Sequence, residues 1–202
     1  MSATGIRGRL ANLYAATHHR YTAREPVPVS FFEELARQGP ILVVMPRDPT
    51  CFEAARHVLV HLRHFTTGED GPVRIHTFLH ETFKNWIDSR LISHALAWAD
   101  DDLNALRLPS NRLLNQVAGL RCDVALDLNV DDDLGAAYVV GMTGAKIRIS
   151  MGPRQHRQFY NVELRVPVDL GDLRRTYLGL TRQLHQTFFP SEGEAPTELS
   201  TL

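Results

Sequence analysis

The sequence predicts an α/β fold: a mostly parallel sheet of about five or six strands with helices on both faces. Short runs of β-branched apolar residues show no alternation, which is typical of strands covered on both sides. The segments between these runs repeat apolar residues at helical spacing, and the two kinds of segment alternate along the chain. The 202 residues, 44% of them hydrophobic, can bury one substantial core but are too few for two full α/β domains.

The N-terminal part predicts a short amphipathic helix over residues 6–20, which either packs back on the domain or docks on a partner. The next segment contains Pro26 and Pro28, so we expect an extended connector there. A second helix is expected from Ser30. The apolar positions of the first helix, at spacings of three and four, are Ile6, Leu10, Leu13 and Tyr14. The capping box of the second is Ser30 with Glu33, and Gly39 and Pro40 end it.

The first βαβ unit of the sheet is predicted between residues 41 and 79. ILVVM at 41–45 is a continuous apolar run and is predicted to be a central strand. Apolar residues at helical spacing over 50–65 predict a crossover helix, and GEDGP at 68–72 has the composition of a turn. VRIHTFL at 73–79 is then the second strand.

The rest of the chain continues the alternation. HETFKNWIDS at 80–89 has a helical pattern, ISHALAWA at 92–99 holds a short third strand, and PSNRLLNQVAGL at 109–120 predicts another helix. CDVALDL is a buried strand, the helix after it is stopped by Gly141 and Gly144, and alternation in NVELRVP suggests a partly exposed last strand. The predicted ranges are strands 122–128, 145–151 and 161–167 and helices 131–142 and 171–188.

This order of elements is typical of a single Rossmann-like domain. We place it at residues 30–188, after an N-terminal helix and connector at 1–29. A tail at 189–202 has no apolar periodicity and is expected to be disordered. Ligands of open parallel sheets bind at the carboxyl ends of the strands.

Composition excludes several classes of function. The formal net charge of -1 gives no general field that would attract nucleic acid or an anionic membrane surface. Cys51 and Cys122 are the only cysteines and lack partners at metal-ligand spacing, so we expect reduced thiols in a cytoplasmic protein and no structural zinc. No apolar run approaches the roughly 20 residues of a membrane span.

The segment after the first strand holds the candidate ligand-binding residues. PRDPTCFEAA contains neither GxGxxG nor GxxxxGK, so it provides no Gly-rich phosphate loop. A helix N-terminus near Thr50 could hold an anion through free backbone N–H groups, with Arg47 as the counter-charge. Thr50 with Glu53 also fits a capping box.

Three clusters of potential metal ligands are better explained as structural. The aspartates at 131–133 could coordinate Mg²⁺, but at a helix start they are explained as a cap that interacts with the helix dipole. Those at 100–102 are interpreted as a solvated turn. His57, His61 and His64 share one helix face, but no carboxylate or cysteine has matching spacing, so we expect them in solvent and predict no metal site.

Other reactive or basic residues also receive the structural interpretation. The basic clusters at 18–20 and 154–157 could bind phosphate or an acidic partner, but exposed loops account for them more simply. Cys51 could be a nucleophile activated by a helix N-terminus, whereas a small residue filling a strand-to-helix corner is the safer view. Trp86 and Trp98 are expected in the core or in an interface.

Residues 41–151 resemble the N-terminal, acceptor-side half of family 9 glycosyltransferases, the ADP-heptose heptosyltransferases. The sharpest part is a D-x-x-x-D-L strand, a helix, then S/T-G-A and a basic strand. The resemblance implies half of a GT-B architecture, in which a second Rossmann-like domain binds the nucleotide-sugar; that half would follow where this sequence ends. The matching residues are Asp123, Asp127, Leu128, Thr143, Gly144, Ala145 and Arg148.

The resemblance fails at the catalytic position. The family carries a Gly-Asp pair after its first strand, whose Asp is thought to be the general base, and in this chain the pair falls on Thr50 and Cys51. A thiol of ordinary pKa about 8.5 is a poor substitute for a carboxylate. Asp48 and Glu53 lie within one turn and are the remaining candidate bases.

The sequence therefore favours a non-catalytic glycosyltransferase-like domain that acts as a binding or assembly module. We expect a protein partner or a homo-oligomer, with a nucleotide-sugar or an acceptor sugar as possible ligand and no cofactor. The alternative is a transferase completed by a second polypeptide or by self-association, with Asp48 or Glu53 as base. A small hydrolase or a nucleotide-binding regulator remains as a third class.

Overall fold

A six-stranded parallel sheet forms the centre of the protein, as the sequence predicts. The computed structural model describes residues 3–22, 39–65, 67–68 and 71–188. The strands in these ranges are β1 Ile41–Val44, β2 Ile75–His80, β3 His94–Trp98, β4 Val124–Asp127, β5 Ile147–Met151 and β6 Val162–Leu164. The helices are α1 Ala3–Thr22, α2 Pro49–Phe65, α3 Asn111–Gly119, α4 Leu134–Met142 and α5 Leu173–Phe188.

The strands lie in the spatial order β3-β2-β1-β4-β5-β6, and every pair of neighbours is parallel. Ile41 of β1 is paired with Ile75 of β2 on one side and with Val124 of β4 on the other. Strands β2 and β3 lie on one side of β1, and strands β4, β5 and β6 follow one another on its other side. It is the strand order of dinucleotide-binding Rossmann domains.

Helices α2 and α5 cover one face of the sheet. The apolar face of α2, led by Phe52, packs with Tyr177 of α5 and with strand residues such as Val43 and Leu126. Phe52 has no exposed surface and stacks on Phe83 with ring centroids 4.4 Å apart. This face is the larger of the two buried clusters.

Helices α1, α3 and α4 cover the opposite face. Leu42, Phe78 and Ala125 project from the sheet into this second cluster, where Leu113 of α3 joins them. Ser110 caps α3 by accepting a hydrogen bond from Leu113 N at 3.4 Å, close to the predicted start of that helix. Both faces of the sheet are buried, which explains why the strands read as continuous apolar runs.

Gly141 lies inside α4 and does not end it, contrary to the sequence prediction. A Cβ at this position would lie 2.5 Å from Cδ1 of Phe159 and 2.9 Å from Cδ2 of His19. The helix ends after Met142, where Thr143 Oγ1 donates to Val140 O and Gly144 adopts a φ of 71°. Gly141 is therefore needed because the Phe159 ring and the His19 side chain of α1 both approach the α4 backbone closely.

Helix α1 packs on α4 through small residues. Ala11 and Ala15 are buried against the domain, and Nδ1 of His18 lies 2.6 Å from the Tyr138 hydroxyl oxygen. The predicted apolar stripe that includes Leu10 and Leu13 faces away from the domain instead, since these side chains are 52% and 66% exposed. The helix was predicted either to pack back on the domain or to dock on a partner. It packs on the domain, but through its alanine face and not through the apolar stripe.

Several predicted boundaries need correction. The predicted helix at 80–89 is a six-residue 3₁₀ helix, Glu81–Trp86, and α4 begins at Leu134 and not at residue 131. The turn predicted at 68–72 is a short antiparallel hairpin of Thr67–Gly68 with Gly71–Pro72. The predicted connector, the helix from Ser30 and the tail at 189–202 lie outside the described residues. Among the described helices none is long and apolar enough to cross a bilayer.

Two histidines with a buried ring nitrogen make the stability of the fold depend on pH. Burial is the main cause that lowers the pKa of both His19 and His76 from the ordinary value, with Arg148 adding to the effect on His19 and His94 and Arg74 to that on His76. Their ring atoms Nε2 and Nδ1, respectively, are buried without a hydrogen-bond partner. The folded state therefore resists the protonation that the unfolded state accepts near pH 6.5.

We expect the free energy of unfolding to fall as the pH drops through about 6.5, by at most about 1.4 kcal/mol per pH unit for each histidine. Urea unfolding between neutral and mildly acidic pH measures this slope. The variant His76→Leu removes one of the two groups and should flatten the slope. The control His57→Gln removes an exposed histidine of α2; equal flattening in both variants would contradict the assignment.

Candidate functional site

The carboxyl ends of β1 and β4 meet at the point where the strand order reverses. The chain leaving β1 enters α2 on one face of the sheet, whereas the chain leaving β4 enters α4 on the other face. The two connections diverge and leave a crevice between them, which is where open α/β sheets bind ligands. Candidate site residues should therefore lie in the segments 45–48 and 129–133.

A small, open cleft with a volume of about 30 Å³ lies at this point on the α4 side of the sheet. Its floor is apolar and its rim carries polar groups. The loop after β3 forms one wall, and the loop after β4 with the first turn of α4 forms the other. The residues that line it are Val44, Met45, Arg47, Phe78, Trp98, Leu103, Arg107, Pro109, Asn129, Asp133, Gly135 and Ala136.

Two arginines meet on one carboxylate at the rim of the cleft. Arg47 Nη2 and Arg107 Nη2 lie 3.2 Å and 3.5 Å from the same Oδ1 atom of Asp100. The Arg47 guanidinium also covers the Trp98 ring, with Cζ 4.7 Å from the ring centroid. The predicted solvated turn at residues 100–102 is an exposed 3₁₀ turn, and within it Asp100 is also an ion-pair partner.

The backbone of Arg107 is in the left-handed region, with a φ of 64°. This conformation costs a residue with a Cβ about 1 kcal/mol or more and is found disproportionately at functional sites. Arg107 N donates to Asn104 O at 2.8 Å, which closes the turn that aims its side chain at Asp100. No sequence signal marked Arg107, since its position depends on the folding of the whole loop.

The N-terminus of α2 is capped by Asp48. Cys51 N donates to Asp48 Oδ1 at 2.9 Å, and Phe52 N donates to Asp48 O at 2.8 Å. Pro49 occupies the first helical position, where it loses no hydrogen bond. The predicted capping box of Thr50 is therefore wrong, and an anion at this terminus would compete with the Asp48 carboxylate.

The three candidate catalytic groups are engaged or poorly suited to proton transfer. The hydrogen bond from the Cys51 backbone is the main cause that lowers the pKa of Asp48. Burial, reinforced by Asp48, raises the pKa of the Cys51 thiol to about 11, so it is protonated near neutral pH. Glu53 Oε1 lies 3.0 Å from Arg56 Nη2 on the surface of α2. Thr50 is exposed beside them.

A buried polar network stands behind the wall of the cleft, and the sequence analysis missed it. Asp127, at the end of β4, accepts hydrogen bonds from Asn129 N and Nδ2 at 2.9 and 2.7 Å and from the Tyr160 hydroxyl at 2.5 Å. Burial is the largest influence on its pKa and raises it despite the opposing attraction of Arg154.

Arg154 holds the loop that follows β4. Its Nη1 donates to the carbonyls of Val130 and Asp131 at 3.1 and 2.6 Å, and its Nη2 donates to the carbonyl of Asn129. Arg154 is 7% exposed and His156 is also buried, so the prediction of an exposed basic loop at 154–157 is wrong for both; of the basic residues there, only Arg157 is exposed. The only signal for this network in the sequence is Asp127, a carboxylate within an otherwise apolar strand.

The clusters of potential metal ligands at 131–133 and on α2 are a helix cap and a set of surface histidines. Asp133 caps α4 by accepting from Ala136 N at 3.0 Å, as predicted for the 131–133 run. His57 and His64 are exposed on α2 and His61 is partly exposed. Within the described part of the chain no three His, Cys, Asp or Glu side chains are arranged to hold a metal ion.

The residues that carry the glycosyltransferase resemblance have clear structural positions. The side chain of Asp123 lies against Gly39, where an added Cβ would sit 1.6 Å from Asp123 Oδ2. Thr143 accepts from Ala145 N at 3.0 Å, and Arg148 Nε donates to Phe159 O at 2.9 Å. These contacts explain the motif as fold geometry, without a ligand.

Comparisons with protein-family models, with curated proteins and with solved structures each returned no match to this chain. The resemblance to family 9 glycosyltransferases thus stays a prediction that depends on the motif residues alone.

Proposed function

We propose that this domain is a non-catalytic, glycosyltransferase-like binding module that holds a small phosphorylated ligand at the carboxyl edge of its sheet. A nucleotide-sugar or a phosphorylated sugar has the required chemistry. The observation that carries the proposal is the convergence of Arg47 and Arg107 on Asp100 at the rim of the cleft. Guanidinium groups bind phosphate through paired, charge-assisted hydrogen bonds.

The present ion pairs are weak enough to be exchanged for a ligand. The side chains of Arg47 and Arg107 are 45% and 55% exposed, and Asp100 is 55% exposed. Pairs this open to solvent contribute only about 0–1 kcal/mol. A phosphate with two charges competes favourably with one carboxylate for the same two guanidiniums. The apolar floor, with the partly exposed Leu103 at its edge, offers apolar surface to a ring of the ligand.

Three features of the neighbouring groups support binding without turnover. The Cys51 thiol holds its proton near neutral pH, the Asp48 carboxylate caps α2, and Glu53 faces Arg56. Asp127 has a raised pKa but is 1% exposed, so a ligand in the cleft does not reach it. A general base needs both a suitable pKa and contact with the reacting hydroxyl.

A transferase completed by a second polypeptide or by self-association is the alternative function. It is favoured by the position of Asp48, an exposed carboxylate directly beside Arg47 in the loop after β1. In this version the partner supplies the nucleotide-sugar domain, and Asp48 or Glu53 removes the proton from the acceptor. Asp48→Asn combined with Glu53→Gln should then abolish transfer, and unchanged rates would dismiss this alternative.

Ligand binding can be followed by tryptophan fluorescence, because Trp98 is buried at the cleft and Trp86 is exposed elsewhere. In a Trp86→Phe background, ADP, ADP-sugars and sugar phosphates are titrated while Trp98 emission is recorded. We expect Arg47→Ala and Arg107→Ala each to weaken binding about tenfold or more, since each removes a charged hydrogen-bond donor. The matched control is Arg90→Ala, which removes an exposed arginine paired with Asp88.

Two results would contradict the binding module. Saturable binding that survives loss of both arginines would place the ligand elsewhere, and turnover of a nucleotide-sugar by the purified chain would make it an enzyme. Isothermal titration calorimetry with the same ligands provides an independent measure of affinity.

A further inference from the structure

Helix α1 directs an apolar stripe away from the domain. Ala11 and Ala15, which face α4, are 4% and 0% exposed. With 3.6 residues per turn, the exposed apolar side chains fall within an arc of about 100° that is turned mostly away from the alanines. They are Ile6, Leu10, Leu13, Tyr14 and Tyr21, with exposures of 47%, 52%, 66%, 38% and 84%. Tyr14 forms the edge of the arc nearest the domain and stacks on His18 with ring centroids 5.7 Å apart. We call these five residues the outer stripe.

Arginines border the outer stripe on both sides. At the same helical spacing, Arg9 and Arg20 lie along one border and Arg7 along the other. The sequence of α1 contains no aspartate or glutamate. Arg7 donates to the carbonyl oxygen of Ala105, which leaves its charge uncompensated, and Arg9 and Arg20 form no ion pair with any described residue. The helix is thus strongly basic although the whole chain has a net charge of -1.

This distribution of charge identifies the partner. A second copy of the chain, docked through its own outer stripe, would bring three arginines of each helix together without a carboxylate on either one, which is unfavourable. An anionic surface compensates all of them. The outer stripe runs for about 22 Å along a helix that lies on the outside of the fold, backed by α4. It therefore suits a broad, flat surface.

We propose that α1 docks this domain on the surface of an anionic lipid bilayer, with the helix axis parallel to the membrane plane. Ile6, Leu10 and Leu13 enter the boundary between headgroups and acyl chains. The two tyrosines lie at headgroup level, where aromatic rings with a polar tip are favoured. The three arginines pair with lipid phosphates and anionic headgroups. The cleft at the sheet edge is not involved, so this proposal is independent of the ligand.

Vesicle co-sedimentation tests the proposal with the full chain. Vesicles of phosphatidylcholine with about a quarter phosphatidylserine are compared with vesicles of phosphatidylcholine alone. We expect binding to the anionic vesicles, weakened about tenfold or more in Leu10→Ser/Leu13→Ser and in Arg9→Gln/Arg20→Gln, and weakened by added salt. These side chains are exposed, so circular dichroism should show unchanged folding. The control Leu170→Ser alters a residue that is 70% exposed in the loop before α5 and should bind normally.

Three outcomes would overturn the membrane assignment. The first is absence of binding to the anionic vesicles, which would leave an acidic protein groove as the occupant. The second is equal binding to both vesicle types that ignores the arginine substitutions. The third is a dimer in sedimentation velocity that Leu10→Ser/Leu13→Ser dissolves, because it would show that the outer stripe pairs with a second copy of the chain.

Discussion

Replacing Arg154 by alanine is expected to lower the free energy of unfolding by about 3–5 kcal/mol, because buried carbonyl groups lose their charge-assisted hydrogen bonds and are left without partners. The change removes the donors to the carbonyls of Asn129, Val130 and Asp131. It also leaves Asp127 buried without the positive charge that favours its ionised form. Urea denaturation followed by circular dichroism measures the loss as a lower midpoint at unchanged slope.

A double-mutant cycle separates the two contributions. Asp127→Asn removes the buried negative charge and keeps one oxygen, which can accept the hydrogen bonds from Asn129 or the one from Tyr160 but not both. If the attraction between Arg154 and Asp127 stabilises the fold, the double variant should lose less free energy of unfolding than the sum of the losses of the two single variants. Additive losses would mean that Arg154 acts only on the loop carbonyls. A loss below about 1 kcal/mol for Arg154→Ala would contradict the buried network itself.

The sheet was predictable because its strands are covered on both faces. Runs such as ILVV and VALD have too little polar character for any other environment, and each is followed by a helical pattern. The sequence did not determine which strands are neighbours, because the backbone of β1, which begins at Ile41, can form hydrogen bonds with any strand of similar length. The order around β1 follows from the choice of helices that cover each face.

The candidate site was predictable only where it is local. Arg47 follows the first strand directly, so its place at the carboxyl edge follows from the fold class. Arg107 reaches the same point through a loop of irregular backbone, and its left-handed φ of 64° has no Gly or Asn to signal it. Arg154 meets the loop after β4 from more than twenty residues away, and separations of that kind leave no periodic pattern.

Helix α1 shows how an apolar stripe misleads. The periodicity of Leu10 and Leu13 is that of a core-facing helix, yet the alanine face of α1 packs on the domain. It does so because α1 approaches α4 closely where His19 meets Gly141. A close contact between helix backbones needs small residues and not large ones. The large side chains are then left for another surface, and the arginines beside them determine its charge.

Replacing Trp98 is expected to lower both the free energy of unfolding and the affinity for a phosphorylated ligand. The ring is 6% exposed, stacks on Phe78 with centroids 5.8 Å apart, and receives the edge of His80 at 4.9 Å. Trp98→Ala should lower the free energy of unfolding by about 3–5 kcal/mol, as for other large aromatic residues replaced in a core. It should also release Arg47, whose guanidinium lies 4.7 Å from the ring centroid.

Trp98→Phe distinguishes these effects, because it keeps an aromatic floor and most of the buried area while reducing the contact with Arg47. Its unfolding midpoint should lie between those of the wild type and Trp98→Ala. Its affinity for a phosphorylated ligand, measured by calorimetry, should be lower than that of the wild type, since Arg47 is less well ordered in the absence of the indole. Wild-type affinity in Trp98→Phe together with a normal loss for Arg47→Ala would show that the stacking does not position the arginine. The control Trp86→Phe, at a ring that is 42% exposed and away from the cleft, should leave the affinity unchanged. It should lower the unfolding midpoint less than Trp98→Ala does, because an aromatic ring remains beside Phe52 and Phe83.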